Sequence, residues 1–194
     1  LGVSYAVRAE LLLYRMAASW FTNRLTSLTQ QETWFNASLA KHLALFCLQL
    51  ISKKSAGFQK DPRLGTFKYL PNFEIPEENG PSILRQLMFF IGEDSFKNGL
   101  YFYSQNSTST FNSIDHFFNS LQHAAEVDLE KWKVDWIDSI GINTTRAEIL
   151  CNEHKKISSF EMIQGVYLGP KTLRQHATKI ALYNNKSKII HLYI

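Results

Sequence analysis

The sequence predicts a mainly helical protein that ends in a small β module, and so an α+β fold overall. Two observations predict this class. Apolar residues recur every three or four positions through the first 140 residues or so, and short runs rich in branched and aromatic residues replace that pattern after Gly141. With 194 residues, 45% of them hydrophobic and 20% charged, the chain has the composition of one globular domain or two small ones. We therefore predict a helical part over residues 1–141 and the start of a β-rich domain over residues 142–194.

The first two helices are predicted from propensity and periodicity. Over Tyr5–Phe21, residues that favour helix place apolar side chains on more than one face, so we expect a largely buried helix. Ser38 can cap a second helix, and the apolar residues of one of its faces are Leu39, Leu43, Cys47 and Leu50. The many prolines and glycines of Lys53–Gly80 then predict a loop.

Four shorter helices are predicted after this loop. Gly92 separates the first two, and Asp128 is expected to cap the last, which carries two tryptophans. The helical patterns cover Ser82–Ile91, Ser95–Tyr103, Ser113–Ala125 and the segment from Asp128 to Gly141. Strand-like runs begin at Glu148, Ser159, Thr178 and Lys188, and the last two are expected to form a hairpin around Asn184-Asn185.

Composition and charge exclude several classes of protein. The net charge is only +4, and the basic residues are scattered, so we expect no nucleic-acid partner. The longest strongly apolar stretch without a charge, Leu43–Ser52, is far shorter than the roughly 20 residues of a transmembrane helix. We expect a soluble protein and favour an intracellular location. Sequons at Asn36, Asn106, Asn143 and Asn185 leave secretion open.

A search for catalytic residues finds no convincing constellation. No two of the six histidines have the four-residue spacing that places both imidazoles on one helix face, and His116 and His123 lie about 10 Å apart if helical. The sequence contains neither a nucleophile elbow nor a glycine-rich phosphate loop. The two cysteines, Cys47 and Cys151, are too few for a disulfide framework or a thiolate metal site.

Two segments nevertheless resemble the zinc site of the aminopeptidase N family of gluzincins. Tyr14-Arg15-x-x-Ala18, followed by x-Trp20-Phe21, is similar to that family's His-Glu-x-x-His and the Trp-Phe after it. Trp34-Phe35-Asn36-Ala37 is similar to its Trp-Leu-Asn-Glu segment. Eighteen residues separate Ala18 from Ala37, which equals the family's spacing between its second zinc histidine and its zinc glutamate.

The resemblance continues along nearly the whole chain and is weakest across Lys53–Gly80. Asn79-Gly80-Pro81-Ser82 is similar to the family's Lys-Gly-Ala-Ser, and Trp132-x-x-x-Trp136 to the helix that closes its peptidase domain. The resemblance implies that the helical part is one half of a thermolysin-like peptidase domain, with the beginning of a β-rich domain after it.

The same resemblance implies that the catalytic positions have changed. Tyr14, Ala18 and Ala37 stand at the three zinc-ligand positions, Arg15 stands for the general-base glutamate, and Glu77 stands for the tyrosine that would steady the tetrahedral intermediate. Zinc needs three protein donors, and alanine has none. A permanently charged arginine would repel the dication by several kcal/mol, even at an effective dielectric constant of about 20. We therefore expect no zinc, no other cofactor and no peptide hydrolysis.

These considerations predict a catalytically inactive, aminopeptidase-like module that acts as a scaffold or interaction subunit. Its partner would be another protein or the remainder of a longer chain, and we hypothesise that Arg15 and Glu77 pair in the former cleft. The alternative is a zinc-dependent aminopeptidase, or a fragment of one, that removes N-terminal residues from peptides. It would need zinc and another metal site, built from His42, His116 or His123 or completed by a partner chain. A truncated product without a function also stays open.

Overall fold

A computed structural model describes residues 5–24, 30–54, 79–105, 113–139, 141–154, 156–169, 171–183 and 189–193. Helices dominate the first part of the chain and antiparallel strands follow, which confirms the predicted mainly helical α+β class. The helices are α1 (Tyr5–Arg24), α2 (Gln30–Lys54), α3 (Gly80–Ile91), α4 (Glu93–Gln105), α5 (Ile114–Ala125) and α6 (Glu130–Lys133), which continues into a π-helical turn (Val134–Asp138). The strands are β1 (Ile142–Cys151), β2 (Ile157–Leu168), β3 (Lys179–Tyr183) and β4 (Ile189–Tyr193).

The described residues form two compact units. One lies within Leu1–Asp128 and Ala177–Ile194, and the other is Leu129–His176. The predicted domain boundary between residues 141 and 142 stays a prediction. No helix in the described segments is both long enough and apolar enough to cross a membrane.

Among the described residues, helix α1 packs against α2, which covers one of its sides. The expectation of a largely buried helix is therefore wrong, because Tyr5, Leu12 and Met16 are each more than 60% exposed. Apolar residues on several faces of a helix do not ensure burial, since each face also needs a neighbouring element to cover it. In the described part of this unit, α2 covers the side that carries Glu10 and Tyr14.

Helix α2 begins at Gln30, so the prediction that Ser38 caps it is wrong. Ser38 lies in the interior of the helix and is fully buried. Glutamine and glutamate, which have good helix propensity, extend the helix on the N-terminal side of the apolar face that was recognised. Of that predicted face, Leu39 is buried, whereas Leu43, Cys47 and Leu50 are half-buried.

The next three helices begin and end close to their predicted residues. Pro81 lies in the first turn of α3, where a missing N–H costs nothing, and Gly92 ends the helix with φ of 88°. Ser113 caps α5, since its hydroxyl accepts a hydrogen bond of 3.2 Å from the backbone N–H of His116. The predicted stop at Gly92 and start at Ser113 are thus confirmed.

Edge-to-face aromatic contacts hold α2, α4 and α5 together. The Phe117 ring lies 4.9 Å from that of Phe35, 6.2 Å from that of Phe96 and 5.4 Å from that of Tyr103, measured between centroids. All four side chains are at most 1% exposed. Each such pair adds about 0.5–1.5 kcal/mol to the free energy of burial, so this cluster anchors the helical unit.

The second unit begins with α6. Leu129, which is fully buried, holds the N-cap position, so the prediction that Asp128 caps this helix is wrong by one residue. The rings of Trp132 and Trp136, one turn apart, stack at 5.5 Å with an interplanar angle of 18°.

The side chain of Arg174, from a later segment, caps the C-terminal end of this helical stretch. The Arg174 guanidinium donates from Nε to the carbonyl of Asp135 at 2.7 Å and from Nη2 to that of Ser139 at 3.0 Å. The guanidinium also lies 5.7 Å from the Trp136 ring centroid. A cation here satisfies carbonyl groups that the helix leaves unpaired and faces the negative end of its dipole.

The strands form two separate two-stranded antiparallel sheets. In the first, β1 pairs with β2 through a ladder that includes Glu148↔Glu161, with irregularities near its two ends. In the second, Tyr183 pairs with Ile189, which confirms the predicted pairing of the last two strands. The connection at Asn184-Asn185 lies outside the described residues. The four predicted strand segments are confirmed, although β1 begins earlier, at Ile142.

Candidate functional site

The candidate site lies between α1 and α2, which carry four of the five family-like positions. Tyr14, Ala18 and Ala37 are half-buried, whereas Arg15 is exposed. Residues four apart share a face of a helix, so Tyr14 and Ala18 lie together on the side of α1 that α2 contacts. Glu77 lies outside the described residues, and its pairing with Arg15 stays a hypothesis.

A lysine from α2 reaches α1 at this place. Lys41 lies one helical turn after Ala37, and its ammonium forms an ion pair with Glu10. The same Nζ lies 6.0 Å from the centroid of the Tyr14 ring. Glu10 precedes Tyr14 by one turn, so Lys41 contacts two successive turns of α1 and ties the two helices together.

The sequence search missed this cluster. Neither Glu10 nor Lys41 belongs to the family-like motifs, and the two lie 31 positions apart in the sequence. The available signal was their spacing, since each lies four residues from a family-like position, Tyr14 or Ala37. Such spacing predicts which residues share a face of one helix. It does not predict that α1 packs on α2, and this packing brings the charges of Glu10 and Lys41 together.

The residues present do not fit a catalytic zinc ion. Ala18 and Ala37 have no lone pair to donate, and Tyr14 offers a single phenol oxygen where catalytic zinc needs three protein donors. The Lys41 ammonium beside the Tyr14 ring adds a positive charge where a dication would have to bind. In the part of the chain that the structure describes, no three His, Cys, Asp or Glu side chains form a group suited to a metal.

His42 is a structural residue of the helix packing. Its Nδ1 donates a hydrogen bond of 3.2 Å to the carbonyl of Pro81, and its ring lies 5.4 Å from that of Phe96. The pKa of His42 is lowered to about 4, mainly by burial; the hydrogen bond to Pro81 opposes this shift, and the nearby Arg85 charge adds to it. The imidazole is therefore neutral at physiological pH and links α2 to the first turn of α3.

The other histidines considered as ligands have different neighbours. His116 lies against Tyr103 with ring centroids 5.2 Å apart, and the exposed His123 lies 4.9 Å from Phe102. These two residues and His42 do not come together in a metal-binding group among the described side chains. The alternative site from these three histidines therefore finds no support in the described geometry.

The glycine of the Asn79-Gly80-Pro81 motif sets the distance between α2 and α3. A Cβ at Gly80 would lie 1.9 Å from Oγ of Ser38 and 3.4 Å from Cε3 of Trp34. Only glycine therefore allows the first turn of α3 to approach α2 this closely. The packing around the family-like positions is tight even though their metal donors are missing.

Comparison with known proteins points to one class of enzyme. The chain is 25% identical to the aminopeptidase N of Streptomyces lividans over 212 residues, which covers 93% of this chain. It is 23% identical to the leucyl aminopeptidase of Saccharolobus solfataricus over 73% of its length, and 22% identical to the probable aminopeptidase 2 of Sulfurisphaera tokodaii over 93%. The chain is similar to aminopeptidases in sequence.

The similarity has two limits. The chain spans 25%, 21% and 27% of the lengths of these three relatives, so it corresponds to about a quarter of each. No protein-family model matches it. The aminopeptidase-like relationship therefore concerns a part of those enzymes.

Proposed function

We propose that this chain is a catalytically inactive, aminopeptidase-like module that serves as a scaffold or protein-interaction subunit. The observation that carries the proposal is the chemistry at the three former ligand positions. Tyr14, Ala18 and Ala37 offer a single phenol oxygen between them, and Lys41 places an ammonium 6.0 Å from that phenol ring. Metal-dependent hydrolysis needs three donors and an activated water, together with a group that takes up a proton.

Arg15 supports the proposal because it cannot act as a general base. Its guanidinium is protonated at every physiological pH and has no lone pair that can accept a proton. It is also exposed. The position that resembles the general base thus lacks the chemistry that the reaction needs.

The retained packing supports a role that depends on shape. Gly80 fits against Ser38, and a Cβ at Gly99 would lie 2.4 Å from Cδ2 of Leu121, so both of these helix contacts depend on glycine. A module whose surface binds other proteins needs this packing to hold its shape, but it does not need the metal donors. A scaffold role predicts this combination of closely packed helices and a set of zinc-ligand positions without donors.

The experiment is an activity assay of the full chain with a panel of fluorogenic aminoacyl amides, with and without added zinc. We expect no turnover above that of buffer. A Lys41→Met variant serves as a control, because it removes the ammonium without restoring a donor, and it should be equally inactive. Saturable turnover that a chelator abolishes and zinc restores would contradict the proposal and favour the zinc-dependent aminopeptidase.

A further inference from the structure

A short segment after the first sheet is fastened to the rest of the second unit by side chains. It consists of residues 172–175, and we call it the strap. Nε1 of Trp136 donates a hydrogen bond of 2.8 Å to the carbonyl of Gln175. Nε2 of Gln164, on β2, donates one of 3.0 Å to the carbonyl of Arg174. The π-helical turn and β2 therefore each hold the backbone of the strap.

The third fastening is Asn143 on β1, whose side-chain amide bonds to the strap through both of its polar atoms. Nδ2 donates to the carbonyl of Thr172 at 2.7 Å, and Oδ1 accepts hydrogen bonds of 3.3 Å from the backbone N–H and from Nη1 of Arg174. Asn143 is half-buried, and the register of β1 with β2 shifts between Ile142 and Asn143. Such irregularities redirect side chains, which fits the approach of this amide to the strap.

Asn143 is also the acceptor position of the sequon Asn143-Thr144-Thr145, and an N-glycan is attached to the same Nδ2 atom. Because the amide group is planar, a sugar on Nδ2 lies either beside Oδ1 or on the opposite side. Beside Oδ1 it meets the two groups of Arg174 that donate to this oxygen. In both positions it adds bulk to a nitrogen that lies 2.7 Å from the Thr172 carbonyl. The sugar therefore competes with the strap for the space around this amide.

We propose that N-glycosylation of Asn143 and closure of the strap exclude each other, so that this sequon is a modification site only while the strap is open. In the transfer, Nδ2 of Asn143 forms a bond to C1 of the sugar, and the bond between C1 and the pyrophosphate oxygen of a lipid-linked oligosaccharide breaks. The lipid pyrophosphate leaves, and the amide gives up one proton to a base of the transferase. In the folded chain the same amide holds the strap instead. This inference does not depend on the interaction role proposed above.

The first test compares the folded chain with a peptide of residues 138–150 as acceptors for a purified oligosaccharyltransferase and its lipid-linked oligosaccharide. Mass spectrometry measures the occupancy of Asn143. We expect transfer to the folded chain to be at least about tenfold slower than transfer to the peptide, because the strap has to open first. Thr145→Val, at an exposed position, removes the sequon and keeps the amide, so it should abolish transfer to Asn143 in both acceptors. Equal rates for the folded chain and the peptide, or a peptide that is not modified, would overturn the proposal.

The second test measures whether a chain that already carries the glycan can close the strap. Translation into microsomes behind an added signal peptide exposes the unfolded chain to the transferase, and trypsin is added after the membranes are dissolved. We expect cleavage after Arg174 to be at least about tenfold faster in chains glycosylated at Asn143 than in Thr145→Val chains made in the same way. A glycosylated chain that resists cleavage after Arg174 as well as the Thr145→Val chain does would overturn the proposal. Neither test bears on catalytic inactivity, which the aminoacyl-amide assay decides separately.

Discussion

Nζ of Lys41 lies 6.0 Å from the centroid of the Tyr14 ring, and the same ammonium pairs with Glu10. A lysine of α2 thus joins two turns of α1 where the family resemblance places a metal ion. The Lys41 side chain is 41% exposed and that of Glu10 only 18%, so solvent weakens the attraction without removing it.

The first prediction concerns the size of this ion pair. In a double-mutant cycle with Glu10→Gln and Lys41→Met, urea unfolding should give a coupling free energy of about 0.2–1 kcal/mol, the range of partly exposed pairs. The coupling should shrink as salt is added, because salt screens charges near the surface. A coupling of zero at low salt would show that the contact does not tie α1 to α2.

The second prediction concerns pH. The pKa of His42 falls from 6.5 to about 4 on folding, so between these pH values the unfolded chain holds a proton that the folded chain does not. The free energy of unfolding should therefore decrease as pH falls from about 6.5 to about 4, by at most about 3 kcal/mol, and the contribution should be constant outside this window. Urea unfolding at several pH values measures it.

The control for this prediction is a comparison of two variants. His42→Gln has no imidazole to protonate and should lose most of the slope between pH 6.5 and 4. His123→Gln, at an exposed position, should keep it. If both variants keep the slope of the parent protein, another group causes it.

The third prediction uses the close contact between α4 and α5. Alanine has higher helix propensity than glycine by about 1 kcal/mol, so Gly99→Ala would stabilise an isolated helix. Here a Cβ would lie 2.4 Å from Cδ2 and 3.0 Å from Cα of Leu121, and we expect a loss of about 1–3 kcal/mol. Thermal unfolding measures the sign, with the exposed Asn98→Ala as the control that should be neutral or stabilising. A more stable Gly99→Ala would mean that the helices are less closely packed.

The fourth prediction concerns Arg174, whose guanidinium donates to the carbonyls of Asp135 and Ser139 and to Oδ1 of Asn143. Arg174→Met should destabilise the protein by about 1–3 kcal/mol, because charge-assisted hydrogen bonds to buried or half-buried carbonyls are lost. It should also change the fluorescence of Trp136, which lies against the guanidinium. Lys171→Met, an exposed change nearby, should alter neither quantity.

Local signals in the sequence predicted the ends of several helices and the positions of the strands. The stop at Gly92 and the cap at Ser113 depend on one residue each, so the sequence alone suffices. The burial of Ser38 against Gly80 and the exposure of Leu12 depend on which element lies opposite, which no local pattern contains. The Glu10–Lys41 pair escaped prediction for the same reason.

Zinc affinity tests the central claim most directly. A competition titration of the full chain against a chromophoric chelator, beside a Tyr14→His/Ala18→His/Ala37→Glu variant, measures the metal bound at this place. The account predicts that the parent chain takes no zinc from a chelator of micromolar affinity, whatever the variant does. One tightly held zinc ion per parent chain, lost on changing Tyr14 to phenylalanine, would contradict it.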